Sequence, residues 1–311
     1  TCALPILKDM EKRKMGFHSY IRAVGTGPKS NRELTKVETI DAIESILNQS
    51  VYSEQIAAFL LGWRVRLETV EELKTTLEVC DKYIKRVKIP NSIELGYPFD
   101  GKADNPYLLP LISKYLKKFD LNLVVSGDEI QPAKKGLTIK QLYQNIEFDD
   151  NIFYFDRADY FKELSNLTKI RNILGLRTAF NTVEKLLNPG TSDYAVNAAF
   201  HKPYVSKYNQ IFGNNYKNLI IVKGNEGTPE IFSKCKYWQT IDGKITEYII
   251  DPEYFGINYK KSMHIISPEE SLNMTKNPSD ELEKLAKLNA AMFLIAAQKA
   301  DDIKTAFEMI E

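Results

Sequence analysis

The sequence predicts an α/β protein with a small helical N-terminal subdomain and a larger domain on a mostly parallel sheet. Three patterns carry this. Helix-spaced apolar residues with capping signals fill the first third. Short apolar runs that stop at loop residues follow, at Leu121–Gly127, Ile152–Phe155, Ala195–Phe200 and Asn218–Val222. Helical patterns lie between several of these runs, an alternation that favours parallel strands covered by helices.

Thr35 and Glu38 form a capping box ahead of Val37, Ile40, Ile43 and Leu47, which recur on one helical face. Ser53 is placed to cap a second helix carrying Ile56, Phe59 and Leu60, and Thr69 with Glu72 opens a third running to about Arg86. Pro90 ends this stretch. Pro106–Phe119, Leu137–Asn145 and Tyr204–Phe212 read as helices of the second domain. Asp242–Gly243, inside Trp238–Ile250, is a hairpin signal, and Ser279–Ala300 reads as a closing helix with acids in its first turn. The Lys82, Lys85, Arg86 and Lys88 cluster suits the end of the third helix, where cations complement the dipole.

The 311 residues are 43% hydrophobic and 27% charged, which excludes a disordered or collagenous chain. Lys and Arg number 42 against 41 Asp and Glu, a net charge of +1, so any polyanion site must be a local patch. The longest apolar helical run, Ala290–Ala297, falls far short of the ~18 residues a membrane span requires. Cys2, Cys80 and Cys235 lie far apart, and His18, His201 and His264 are scattered, so no zinc-ligand spacing exists and a reducing, cytoplasmic setting is expected. Thr1–Ile6 fits none of these patterns.

Arg171-Asn172-Ile173-Leu174-Gly175-Leu176-Arg177-Thr178-Ala179-Phe180-Asn181, followed by Leu186-Leu187-Asn188-Pro189, resembles the R-x-x-L-G-x-R-T-x-F-N…L-x-N-P signature of the anthranilate phosphoribosyltransferase family, glycosyltransferase family 3. Gln55–Leu60, Glu68–Leu73, Val222–Gly227 and Asp251–Gly256 match in place and order. The resemblance implies a nucleoside phosphorylase/phosphoribosyltransferase type of fold. It implies a helical domain at 15–87 completed by 157–190, an α/β domain at 88–156 and 191–311, and a homodimer joined through the helical domain. It also implies substrate-binding positions at Gly96, Asp100, Gly101, Gly127, Asp128 and Arg171, with Arg171 matching an arginine that helps bind the aromatic acid.

The loops that would do the chemistry depart from the family. Its pyrophosphate loop G-T-G-G-D-G reads Gly96-Tyr97-Pro98-Phe99-Asp100-Gly101 here. Pro98 lacks an N–H and Phe99 is bulky where a phosphate needs close backbone approach. The family's K-H-G-N loop reads Val125-Ser126-Gly127-Asp128, losing a cation and bringing the Asp128 charge toward where phosphate would sit. The D-E pair that holds magnesium in the family reads Pro229-Glu230, leaving Glu226 and Glu230 as thin candidates for a metal. These losses predict a degenerate transferase site with no cofactor, magnesium entering only if transfer is retained.

One nucleic-acid-binding branch of the family is similar in these loops, and its first-loop pattern resembles Gly96–Leu111. The expectation is binding of nucleic acid, favouring single strands, along Lys102, Lys134, Lys135, Lys140 and Lys223, with Tyr97, Phe99 and Tyr107 as stacking platforms. Asp100, Asp104, Asp128 and Glu129 on the same loops oppose it. The alternative is an active anthranilate-type transferase, of tryptophan biosynthesis, with an altered donor site.

Overall fold

The computed structural model describes residues 16–199 and 202–310. Cys2, His201, Phe200 and the unassigned Thr1–Ile6 stretch lie outside them. Residues 16–25 form α1. Then come α2 (Lys36–Leu47), α3 (Ser53–Arg66), α4 (Val70–Cys80), β1 (Ser92–Leu95), α5 (Leu109–Lys117), β2 (Asn122–Gly127), α6 (Ile139–Asn145) and β3 (Ile152–Asp156). Four short helices follow, α7 (Arg157–Tyr160), α8 (Lys162–Ser165), α9 (Thr168–Leu174) and α10 (Phe180–Val183). β4 (Tyr194–Ala198), α11 (Lys202–Phe212) and β5 (Asn218–Val222) restore the alternation. A hairpin, β6 (Cys235–Ile241) and β7 (Lys244–Ile250), precedes α12 (Pro268–Lys276), α13 (Asp280–Ala296) and α14 (Ile303–Ile310).

The chain divides into two compact units. The helical unit holds the described residues up to Ile84, with Gln131–Ala133 and Phe161–Leu187; Lys85–Ile130, Lys134–Tyr160 and the described residues from Asn188 onward form the α/β unit. The second helical stretch therefore starts at Phe161 rather than 157, because Arg157 is held by Asp128 in the α/β unit.

Within the helical unit both expected capping boxes form: Thr35 accepts from Glu38 N and Thr69 from Glu72 N. Ser53 is not the cap; it is the first helical residue, and Gln55 reaches back to the Tyr52 N–H at 3.1 Å. The third helix stops at Cys80, six residues before its expected end. Glu72 centres the unit, accepting from Arg66, from the Trp63 indole at 3.0 Å, and from the N–H groups of Leu34 and Thr69 at 2.9 Å each. Lys82 pairs with Glu44 at 2.6 Å.

The α/β unit carries a seven-stranded sheet of order β3-β2-β1-β4-β5-β6-β7, parallel from β3 through β5, with the hairpin added antiparallel. Asp242 and Gly243 take positive φ at the hairpin turn, as the dipeptide predicts. α13 is the central covering helix and is buried along nearly its whole apolar length. Its Asn289 both donates to and accepts from the Ile231 backbone, fixing the loop after β5. No helix of the described residues is long and apolar enough to cross a membrane.

No apolar run marks β1 in the sequence, because its four residues, Ser-Ile-Glu-Leu, hold an acid at their centre. Glu94 is buried, accepting from Asn188 N at 2.9 Å and from the Tyr216 hydroxyl. Burial pushes its carboxyl up to about 7, against the pull of Tyr216, Asn188 and the Arg86 charge. A raised folded-state value means that this contribution to stability is complete below the ordinary value of 4.5 and is lost as pH rises through about 7. Glu94→Gln is therefore expected to flatten the stability profile, removing about 3 kcal/mol of the difference between about pH 5 and about pH 8 in denaturant melts.

Candidate ligand site at the strand ends

In a parallel sheet, loops leaving the carboxyl ends of the strands are the default ligand platform. Here they are Gly96–Pro106 after β1, Asp128–Ile130 with Lys134–Leu137 after β2, and Lys223–Glu230 after β5. They are laced to one another. Lys102 and Leu137 exchange backbone hydrogen bonds of 2.8 and 2.7 Å, the Ala103 N–H donates to Glu226 Oε1 at 2.6 Å, and Lys134 Nζ donates to the Glu226 carbonyl at 2.5 Å.

The glycines serve this lacing. Gly101 has φ +80°, and a Cβ there would stand 2.3 Å from the Gly136 carbonyl oxygen. At Gly96 the same atom would meet the Asn197 side chain at 2.5 Å, and at Gly127 the Tyr154 ring at 2.7 Å. The close approach that glycine permits is used by the protein's own atoms.

The loop aromatics are not stacking platforms. Tyr97, Phe99 and Tyr107 are all buried. The Tyr97 hydroxyl donates to Glu230 at 2.8 Å, and that of Tyr107 to the Leu137 carbonyl at 2.8 Å. Burial, then the Glu230 charge, raises both phenols well above their ordinary value, so both remain donors. Phe99 lies beneath the Arg157 guanidinium, 4.3 Å from ring centroid to Cζ.

Two of the five expected cleft lysines are corrected outright. Lys102 is fully buried, its ammonium on Glu230 and on the Pro106 carbonyl at 2.6 Å, because a charge in that interior must be matched. Lys140 sits between Glu129 and Asp156 at 3.0 Å each; burial lowers its affinity for a proton, but the two acids outweigh this and hold it above the ordinary lysine value. Lys134 is half-buried on the Glu226 carbonyl, while Lys135 and Lys223 are exposed.

The acids differ from expectation as well. Asp128 does not project a bare negative charge, since it is buried against Arg157 at 2.6 Å and also accepts from Glu129 N. Arg157 is the residue that the sequence reading missed; its position just beyond a strand end was the available signal. Asp100 is buried. In the helical unit Arg171 is fully buried, bound to Glu184 through two hydrogen bonds of 2.7 and 3.0 Å and to Asn181 at 2.8 Å. Its guanidinium pins α9 to the α10 segment.

Magnesium finds a poor donor set here. Glu230 already accepts from Tyr97, Leu108 N and Lys102, and Pro229 supplies no second carboxylate. Glu226 offers one oxygen, its other being taken by Ala103 N. Among the described residues no three His, Cys, Asp or Glu side chains form a metal-ligand group.

Residues 136–311 match the family model described as glycosyl transferase family, a/b domain, and residues 18–80 match its helical bundle domain. The chain belongs to the glycosyl transferase family. Its relatives within that family include an uncharacterized protein of Aquifex aeolicus, 28% identical over 295 residues covering 90% of this chain and 93% of the relative. Another is the anthranilate phosphoribosyltransferase of Neisseria meningitidis serogroup C / serotype 2a, 28% identical over 314 residues and covering 91% and 88%. Among solved structures, anthranilate phosphoribosyltransferase from Thermus thermophilus superposes with TM-score 0.74 at 14% identity, over 94% of this chain and 92% of that one. The Saccharomyces cerevisiae enzyme in complex with PRPP and Mg gives TM-score 0.74 at 15% identity, over 96% and 93%. This glycosyl transferase family chain thus has an anthranilate phosphoribosyltransferase-like fold, with its strand-end loops closed on themselves.

Proposed function

We propose that this chain is a glycosyl transferase family protein that has given up phosphoribosyl transfer and binds nucleic acid without sequence preference. The loss of transfer is carried by one observation: Tyr97, Phe99 and Tyr107 fill the first strand-end loop with buried side chains. A phosphoribosyl diphosphate needs donors and open volume there, and the Ala103 N–H of that loop is taken by Glu226. The engagement of Arg171 by Glu184 likewise removes the guanidinium from an aromatic acid acceptor.

Support for nucleic acid rests on Lys135 and Lys223, both exposed on these loops, with Lys134 next to Lys135 in the chain. This is a smaller cationic surface than five lysines would make, so binding is weak and electrostatic. A homodimer through the helical unit is part of the same proposal. An apolar groove of about 710 Å³ there is lined by Ile21, Val24, Pro28, Leu61 and Val65, and Val65 is 72% exposed. Open apolar surface of this kind suits a second copy of the chain.

Incubation with phosphoribosyl pyrophosphate, Mg²⁺ and anthranilate is expected to give no product; turnover at an ordinary rate of about 1 s⁻¹ or more would establish the active-transferase alternative. In mobility shifts with a single-stranded oligonucleotide, log K should fall with log salt at a slope of about −1.4, as two phosphate contacts give. Lys135→Glu with Lys223→Glu should abolish that binding, and undiminished binding would discard the lysine assignment. Light scattering is expected to report a dimer that Val65→Glu converts to monomer; a monomeric parent chain would remove the dimer.

A further inference from the structure

The Lys102–Glu230 pair has a construction that closing a loop does not require. Glu230 is wholly buried; Oε1 accepts from the Tyr97 hydroxyl and from Leu108 N, both at 2.8 Å, and Oε2 takes the Lys102 ammonium. That ammonium donates also to the Pro106 carbonyl at 2.6 Å, and it lies 4.4 Å from the Phe232 ring centroid and 5.1 Å from that of Tyr107. A carboxylate, a carbonyl and two aromatic faces enclose it, the surroundings in which a desolvated cation is held.

We infer that Lys102 is a built-in charge surrogate: its tethered ammonium occupies on Glu230 the place a divalent cation would take, and so makes this site independent of metal. A hard divalent ion needs about six oxygen ligands and retains several waters. Around Glu230 the structure offers instead two hydrogen-bond donors, one fixed positive charge and aromatic rings. A metal entering there would have to expel the ammonium, and the neighbouring Pro229 leaves it no second carboxylate. The ligand class refused is the metal-chelated diphosphate; the class left is one bound without a metal ion. This deepens the proposed loss of transfer and rests on it for the ligand class. Its test reads metal and stability instead of turnover, so each can fail alone.

The full chain, stripped with EDTA, is titrated with Mn²⁺ while free Mn²⁺ is followed by electron paramagnetic resonance. The expected trace overlays the protein-free control, and Mg²⁺ moves the melting temperature by less than about 1 °C. Saturable one-to-one Mn²⁺ binding that Glu230→Gln abolishes would overturn the inference. A double-mutant cycle adds a second reading. Lys102→Met and Glu230→Gln should each lower the melting temperature by about 10 °C by stranding a buried partner, and the double variant should recover more than half of the summed loss. Strictly additive losses would mean that the pair is not coupled. If Lys102→Met does not fold, the Mn²⁺ titration of the unaltered chain decides.

Discussion

A buried carboxylate must find its compensation inside the protein, and the ion pair of Glu230 with Lys102 is where this constraint shapes the strand-end loops. Around that pair the β1 loop takes its path: Lys102 is drawn inward, Pro106 turns its carbonyl to the ammonium, and Tyr97 and Leu108 donate to the free carboxylate oxygen. Beside the buried lysine, Gly101 has φ +80° and lies against Gly136, and Lys102 exchanges backbone hydrogen bonds with Leu137 of the β2 loop. One matched charge pair thus lies where all three strand-end loops meet.

The same rule recurs. Asp128 is answered by Arg157, Glu184 by Arg171, and Glu72 by Arg66 with an indole and two backbone N–H groups. Glu94, by contrast, has hydrogen-bond donors but no cation bound to it, and burial pushes its carboxyl upward. The comparison separates hydrogen bonding from charge compensation. Donors alone and a bound cation are thus two ways in which this interior accommodates a buried carboxyl.

For function, these pairings mean that residue types associated with ligand binding are spent on the protein itself. Arg171 fits the family signature, and its partners Asn181 and Glu184 lie within or beside the same signature. The motif is therefore as much a folding device as a binding one. Of the five lysines expected along these loops, Lys135 and Lys223 are the exposed ones.

Read alone, the sequence determined the helical start, the strands after Leu121 and the hairpin, because capping boxes, apolar runs and Asp-Gly turns are local signals. Short β1 was hidden by Glu94, whose acid breaks the apolar run that marks a buried strand. The sequence also revealed the altered loops, since Pro98, Phe99 and Pro229 change backbone chemistry wherever they lie. It did not reveal which charges face solvent. Lys102 and Lys135 are equally basic letters on neighbouring loops, yet one is sealed against a carboxylate 128 residues away and the other is exposed. Only the tertiary structure decides this, because charge compensation is set by distance and dielectric in three dimensions, and neither is encoded in local spacing.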